Sequence, residues 1–375
     1  MNLLAFSRRA SSRRASSGPA SPLPASPLPA PRGDSRARLR RQLAIAVAMA
    51  SWALSQPSGA APTEHGAPAG VAAEAAAQAP GPLLQPAQLQ ALLQRGAALR
   101  IVDLRDPDDY AAGHLPGAVD APYARWRSGA ANPGKLLPVE RFVHLVRSLG
   151  LRDGDQVVLV SAGGDPTDFG APARVYWTLK WLGMRHLSIL NGGMQSWKDA
   201  GLGGLQTAVP RVVPSHFVAH PDAALLATRE QVLQATRAPE ASRVLLDARP
   251  VAFWEGKAKA PAAVEPGTIA GSVDFNNLRW FPQGGGALPA PAVLRTIASG
   301  LPTQEQQARQ TISFCNTGHW AATNWFVLSE LLHRPGVRLY PGSMVDWSRH
   351  DEPMTHVPSR SDQLWAQLKQ TWHSR

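Results

Sequence analysis

The sequence predicts an α/β protein in which two tandem domains each contain a mostly parallel sheet flanked by helices. In each half of the chain, short apolar runs typical of strands alternate with apolar residues at helical spacing. Blocks of the first half also recur in the second half in the same order. A repeat of this kind indicates two copies of one structural unit.

The repeated blocks place the main elements of each copy. The first block is an apolar strand that ends in Asp, one further residue and Arg. The second is a strand followed by a helical pattern that contains tryptophan, and the third is a short segment that ends in Trp. The paired blocks are IVDLRD (101–106) with VLLDARP (244–250), VVLVSA (157–162) with TISFCN (311–316), and GGMQSW (192–197) with GSMVDW (342–347).

The N-terminal segment, residues 1–60, is predicted to be a disordered N-terminus followed by a signal peptide. Residues 36–60 pass from arginines through an apolar run to small residues, which is the order of a secretory signal peptide. The alternative is a membrane anchor, but the apolar run from Leu43 to Leu54 is too short to span a bilayer. We therefore expect a periplasmic or secreted protein, cleaved after Ala60, with no stable membrane insertion after processing.

Composition sets the domain limits. Residues 61–82 are mostly Ala, Pro and Gly with few large apolar residues, and they are predicted to be a linker. The first domain is predicted at 83–210 and the second at 222–360, with the boundary between Pro210 and Asp222.

The basic charge of the chain does not indicate a nucleic-acid partner. The net charge is +11, but residues 1–60 hold nine arginines and one aspartate and so account for +8 of it. The predicted domains are nearly neutral, whereas nucleic-acid binding requires a basic surface on the folded part.

Cys315 is the only cysteine of the chain and stands at a predicted junction of strand, tight loop and helix. At such a junction, backbone N–H groups and the positive end of the helix dipole stabilise an anion, which favours a nucleophilic thiolate. The alternative is a small buried apolar side chain. Small and polar residues follow Cys315, and a single thiol cannot form an internal disulfide, so we favour the nucleophile.

Three motifs together resemble the rhodanese family, specifically the tandem sulfurtransferases in which an inactive amino-terminal domain precedes an active carboxy-terminal one. They are Gly-His-Leu-Pro-Gly-Ala at 113–118 after Asp103-Leu104-Arg105, the Gly-Gly-x-x-x-Trp segment that ends the first copy, and a six-residue cysteine loop that opens a helix. The resemblance covers about residues 85–355. It implies two tandem rhodanese-like domains.

The resemblance also implies a reaction. Cys315 takes a sulfur atom from a small anionic donor, thiosulfate or 3-mercaptopyruvate, holds it as a persulfide and passes it to cyanide or a thiol. The substrate-binding loop comprises Asn316, Thr317, Gly318, His319 and Trp320, whose amides hold the persulfide. No metal or organic cofactor is required. The first copy has Ser161 or a neighbour at the position of the cysteine and cannot carry the persulfide.

Arg249 matches the arginine with which the family binds the donor, although a structural ion pair is the alternative, as for Arg105 in the first copy. Thr317 carries a hydroxyl like the serine of mercaptopyruvate enzymes, where rhodaneses have lysine. His319 either adds positive charge or caps the helix. Ala252 stands where mercaptopyruvate enzymes have a second arginine, and Lys257 or Lys259 is a candidate for the missing charge. Donor preference is therefore open.

Two other enzyme classes fit less well. A cysteine phosphatase needs an arginine six residues after the cysteine, where this chain has Ala321. A serine hydrolase of Ser313 or Ser343 lacks the Gly-x-Ser-x-Gly elbow. The remaining alternative is a sulfur carrier or sulfur-compound binding protein whose Cys315 is loaded by a partner.

Overall fold

The computed structural model describes residues 80–239, 242–301, 310–359 and 361–362. These residues belong to one compact unit, Gly70–Arg375. The predicted disordered N-terminus, the signal peptide and nearly all of the linker lie outside the described residues. Within the described ranges, no helix has both the length and the apolar character that crossing a membrane would require.

The first domain is a parallel sheet with helices around it. Its strands lie in the order β1-β5-β4-β2-β3, and every neighbouring pair is parallel. The strands are β1 (Leu83–Leu84), β2 (Leu99–Asp103), β3 (Val119–Asp120), β4 (Gln156–Val160) and β5 (Leu187–Leu190). The helices are α1 (Pro86–Gln94), α2 (Pro107–Ala112), α3 (Val139–Ser148), α4 (Gly170–Trp181) and α5 (Gly193–Asp199), with a 3₁₀ turn at Tyr123–Trp126.

The second domain repeats this plan. Its parallel strands lie in the order β10-β9-β6-β8, and β7 pairs with β11 in a separate antiparallel ribbon. The strands are β6 (Arg243–Asp247), β7 (Thr268–Ile269), β8 (Ser272–Asp274), β9 (Gln310–Phe314), β10 (Val337–Leu339) and β11 (Met354–Thr355). The helices are α6 (Arg229–Arg237), α7 (Val251–Trp254), α8 (Pro291–Ser299), α9 (Trp320–Trp325) and α10 (Ser343–Trp347), with a 3₁₀ turn at Asn277–Trp280 and a π-helical turn at Phe326–Leu331.

The predicted α/β class with two tandem, mostly parallel sheets is confirmed. The central strands β4 and β9 form because their apolar runs are covered on both faces, as parallel sheets require. Helix α6 begins at a capping box in which Thr228 and Gln231 each satisfy a backbone N–H of the other. Residues 207–222, which hold the predicted boundary, contain neither helix nor strand.

The registers of the two sheets make the copies directly comparable. Asp103 at the end of β2 pairs with Val160, and Asp247 at the end of β6 pairs with Phe314. The next residues along β4 and β9 are Ser161 and Cys315, which therefore occupy equivalent positions at the carboxyl edges of their sheets. Ligands bind at this edge in parallel α/β sheets.

One hydrophobic cluster contains buried residues of both domains. Helix α4 of the first domain contacts α9 of the second, and the rings of Tyr176 and Phe326 meet edge to face with centroids 5.0 Å apart. The hydroxyl of Tyr176 donates to Glu330, which also forms an ion pair with Lys180 at 2.7 Å. This packing brings loops of the first domain against the cysteine loop.

Candidate active site

The cysteine loop joins β9 to α9 at the carboxyl edge of the second sheet. The last four residues of β9 are buried, and Cys315 follows the strand directly. Helix α9 begins at Trp320. Gly318 adopts a φ of +72°, and a Cβ there would lie 2.2 Å from Nη1 of Arg174, so this turn requires glycine. The predicted order of strand, tight loop and helix is confirmed.

The carbonyl groups of the loop are all engaged on its outer side. The carbonyls of Cys315 and Asn316 accept hydrogen bonds from Met344 and Val345 in α10. The carbonyl of Thr317 accepts from Nη2 of Arg127 at 2.7 Å and from Nη1 of Arg174 at 3.3 Å. Arg174 Nη1 also donates to the carbonyl of Gly318 at 3.2 Å.

The amide groups of the same loop are free. Among the described residues, the N–H groups of residues 316 to 320 donate to no protein acceptor. The C=O and N–H of a trans peptide point in opposite directions, so the N–H groups of residues 316 to 319 face away from α10 and the two arginines. The indole Nε1 of Trp320 is also buried without a partner within the described ranges. The loop therefore offers a set of unpaired donors, which is a typical anion site.

Cys315 lies at a cavity of about 420 Å³ between the two domains. The residue is 1% exposed, so the thiol is enclosed within the site. Its backbone N–H donates to Oγ of Ser343 at 3.0 Å. The cavity is lined by Tyr123, Ala124, Arg127, Pro133 and Thr167 of the first domain and by Cys315, Asn316, Thr317, His319 and Trp320 of the second.

The predicted loop residues Asn316, Thr317, His319 and Trp320 thus meet Cys315 at one cavity, and Gly318 shapes the turn between them. Within the described residues, no group of three or more His, Cys, Asp or Glu is placed to hold a metal ion.

Arg249 does not line this cavity. It is 1% exposed, and its Nε and Nη2 donate to the carboxylate of Asp247 while Nη2 also donates to the carbonyl of Gly267. Arg105 makes the same contacts with Asp103 and Gly113 in the first domain. In both domains, the carboxylate two residues before the arginine forms a buried ion pair with its guanidinium. The Nη1 of Arg249 also donates to Oδ1 of Asn316 in the cysteine loop at 3.5 Å. The geometry corresponds to the structural ion pair, and donor binding by Arg249 stays a prediction.

His319 connects the two domains and is neutral. Burial is the main reason that its pKa is lowered to about 4, and the nearby Arg127 lowers it further. Its Nε2 lies 2.9 Å from the carbonyl of Thr167, so Nε2 carries the proton and Nδ1 accepts from the hydroxyl of Tyr123 at 3.0 Å. The imidazole makes no capping bond to α9. His319 therefore serves neither of its two predicted roles, positive charge or helix cap.

The cations beside the cavity come from the first domain and were not identified from the sequence. Arg127 is partly buried and lines the cavity, whereas Arg174 is 2% exposed and lies behind the loop. Burial, followed by the charge of Arg127, lowers the pKa of Arg174 to about 9. Arg127 and Arg174 precede Thr317, whose carbonyl both bind, by 190 and 143 residues. No local sequence motif therefore marks these arginines. Lys257 instead pairs with Glu255, and Lys259 donates to Ala263.

The equivalent loop of the first domain is already occupied. After Ser161, the N–H of Gly164 donates to Oδ2 of Asp168 at 2.7 Å. A Cβ on Gly286 would lie 2.5 Å from the carbonyl of Gly163, so a strand-free segment of the second domain sits directly on this loop. One amide of this loop is thus engaged by the chain's own carboxylate, and backbone of the second domain covers the loop.

Comparison with known proteins agrees with this geometry. Residues 85–200 match the family model described as Rhodanese-like domain. The thiosulfate sulfurtransferase of Rattus norvegicus is 30% identical, and the match covers 70% of this chain and 89% of the rat protein. A relative from Synechococcus elongatus, assigned to the thiosulfate sulfurtransferases, is 30% identical over 70% of this chain and 81% of its own length.

The chain belongs to the rhodanese family. As a member related to these enzymes over both domains, it is a sulfurtransferase.

Solved structures of the rhodanese fold match both copies. SseA of Escherichia coli, a 3-mercaptopyruvate sulfurtransferase, superimposes with a TM-score of 0.59 and 23% identity over 70% of this chain and 99% of SseA. An anaerobic ergothioneine biosynthesis enzyme from Chlorobium limicola superimposes with a TM-score of 0.62 and 18% identity over 73% of this chain and 69% of that enzyme. At these identities the likeness concerns the fold.

Proposed function

We propose that this protein moves a sulfane sulfur from thiosulfate or 3-mercaptopyruvate to a thiophilic acceptor, cyanide or a thiol, through a persulfide on Cys315. The observation that carries the proposal is the row of unpaired loop amides beside the buried thiol, at a cavity of about 420 Å³. Such donors stabilise an anionic sulfur without any rearrangement.

The first half-reaction forms the persulfide. The thiolate of Cys315 attacks the outer sulfur of the donor, so that a new S–S bond forms as the bond to the rest of the donor breaks. The electron pair of that bond leaves with sulfite when the donor is thiosulfate. With 3-mercaptopyruvate it leaves as the enolate of pyruvate, which takes a proton. The amides of residues 316 to 320 hold the terminal sulfur of the persulfide, which is negatively charged.

The second half-reaction discharges the enzyme. Cyanide or a thiolate attacks the terminal sulfur, the S–S bond to Cys315 breaks, and its electron pair returns to the cysteine sulfur. The products are thiocyanate or an acceptor persulfide. The chain has no second cysteine, so no disulfide within the chain competes with this step.

The alternative is a carrier that a partner protein loads. Ala252, in place of a second arginine, favours the carrier. The enclosure of Cys315, which is 1% exposed behind a small cavity, favours a small donor because the sulfur of a partner protein would have to enter the same space. Enclosure by both domains is thus the stronger support for the enzyme.

The intact mass of the chain from about Ala61 tests the proposal. Incubation with thiosulfate, or separately with 3-mercaptopyruvate, is expected to add one sulfur atom that cyanide removes. Cys315→Ser is the control and should gain no sulfur. A wild-type thiol that can be alkylated but takes no sulfur from either donor would exclude the small-donor enzyme and favour the partner-loaded carrier.

A further inference from the structure

Among the described residues that line the cavity, Arg127 is the cation positioned to meet a ligand. The cavity wall includes its guanidinium, which is partly exposed, directly after the 3₁₀ turn Tyr123–Trp126. Within the described residues Arg127 forms no ion pair with a carboxylate. An unneutralised guanidinium at the wall of a cavity attracts an anion, because a partly desolvated site screens charge less than bulk water does.

The other basic side chains near the cysteine loop are otherwise engaged. Arg249 is neutralised by Asp247 with an Nη2–Oδ2 distance of 2.7 Å, and both side chains are buried. Arg174 is buried and uses Nη1 on the carbonyls of Thr317 and Gly318. The Nε2–H of His319 donates a hydrogen bond to the carbonyl of Thr167, and the imidazole is neutral. Of these three side chains and Arg127, only Arg127 is therefore both positively charged and free to bind the charge of a substrate.

Hydrogen bonds to neighbouring groups hold the guanidinium of Arg127 in place. Nη1 of Arg127 donates to the hydroxyl of Tyr123 at 2.9 Å, and Nη2 donates to the carbonyl of Thr317 at 2.7 Å. Its Cζ lies 5.3 Å from the centroid of the Tyr123 ring. These bonds use two of the five guanidinium N–H groups, which leaves donors for an oxyanion. A guanidinium fixed in this way loses little entropy when a ligand binds.

We propose that Arg127, supplied by the first domain, binds the anionic head group of the sulfur donor in the cavity of the second domain. This inference rests on the proposed function. The sulfonate-type oxygens of thiosulfate or the carboxylate of 3-mercaptopyruvate lie against Arg127, while the loop amides hold the sulfur that is transferred. The site therefore selects small anionic sulfane donors over neutral ones, and the domain without a thiol supplies the donor specificity.

The reactivity of Cys315 with two alkylating reagents tests Arg127 without any sulfur transfer. Iodoacetate is anionic and iodoacetamide is neutral. The same thiolate attacks the CH₂ carbon of either reagent and displaces iodide, so the ratio of the two rates reports the charge of the cavity. Arg127→Gln is expected to lower the ratio of iodoacetate to iodoacetamide rates roughly tenfold, the value of one charge-assisted hydrogen bond. Intact mass counts the alkyl groups, and Cys315→Ser corrects for reaction at other side chains.

Two variants are the matched controls. Arg125→Gln removes one positive charge from the same turn, but the Arg125 side chain is exposed and lies outside the cavity, so the ratio should not change. Arg127→Lys keeps the charge and should retain most of the ratio. If Arg127→Gln slows both reagents by the same factor, Arg127 only supports the loop through Thr317, and the proposal is wrong.

Sulfur loading separates this inference from the proposed function. If wild type gains sulfur from thiosulfate, Arg127→Gln should raise KM about tenfold or more, with a smaller effect on kcat. Loading that is unchanged in Arg127→Gln would refute the role of Arg127 and leave the sulfurtransferase intact. A wild type that takes no sulfur, but whose alkylation ratio depends on Arg127, would refute the donor chemistry and leave the anion site.

Discussion

At the scale of single residues, the partner of each charged or polar side chain decides what it does. Arg249 and Arg127 carry the same guanidinium, yet the first is neutralised by a buried carboxylate and the second faces a cavity. His319 is neutral because its imidazole is enclosed between the domains. Gly170 begins α4 beside it, and a Cβ there would lie 2.6 Å from Nε2 of His319. The groups in contact with a side chain therefore decide whether its charge is available in the site, and residue type alone does not.

The neutral His319 predicts a specific pH dependence of stability. Its pKa is about 4 in the folded protein, below the ordinary value of 6.5. Between these values the unfolded chain binds a proton that the folded chain excludes, so stability falls as the pH is lowered through this window. Wild type should therefore lose more stability than His319→Gln between about pH 7.5 and about pH 5 in urea unfolding. His144→Gln, at an exposed position, is the control and should behave like wild type.

At the scale of elements, two loops at equivalent sheet positions differ in how their backbone amides are engaged. The loop after Cys315 leaves its amides unpaired and leads into α9 at Trp320. After Ser161 the next helix begins only at Gly170, and Asp168 takes a loop amide. A carboxylate at that place repels a persulfide anion and competes for the same donor. Loss of the cysteine is therefore not the only difference between the two copies.

A cysteine at position 161 should accordingly remain inactive. In the Cys315→Ser background, Ser161→Cys is expected to gain no sulfur from thiosulfate, because the loop amide is occupied and the segment around Gly286 covers the loop. Intact mass measures the gain, and alkylation of the unfolded protein verifies that the new thiol is intact. A sulfur gain comparable to wild type would mean that the thiol alone was missing.

At the scale of the whole molecule, each domain covers the loop of the other. A Cβ on Gly134 of the first domain would lie 2.5 Å from the carbonyl of Pro341, beside the cysteine loop. Gly286 of the second domain approaches Gly163 equally closely. Helices α4 and α9 pack against each other. Glu330, in the π-helical turn after α9, binds Tyr176 and Lys180 of α4. The docking of the two domains therefore builds the cavity wall.

Glu330 should stabilise this docking. Glu330→Ala leaves the hydroxyl of Tyr176 buried without its acceptor, which is expected to lower the free energy of unfolding by roughly 1–3 kcal/mol. It should also slow sulfur loading, since Arg127 and Tyr123 reach the cavity only while the domains are docked. Urea unfolding and loading rates measure both effects. Glu255→Ala breaks the exposed pair with Lys257 and should cost less than about 1 kcal/mol. Equal losses in the two variants would show that Glu330 does not hold the domains together.

The α/β class, the two copies and the place of Cys315 between strand and helix follow from the amino-acid sequence alone. These features are encoded locally, in apolar periodicity, in the repeated blocks and in the glycine that the turn after Cys315 requires. They could be predicted because each depends on residues that are neighbours in the chain. The enclosing loop residues 316 to 320 could be predicted for the same reason.

Which cations lie beside the cavity, and whether His319 is charged, depend instead on how the two domains pack. Arg249 lies next to a strand end like a ligand-binding residue, but the fold buries it against Asp247. Arg127 reaches the loop from 190 residues earlier in the chain, and Tyr123 and Thr167 enclose His319 across the same interface. Charge, burial and hydrogen bonding depend on all the groups around a side chain. Domain docking brings these groups together, and no local pattern records them.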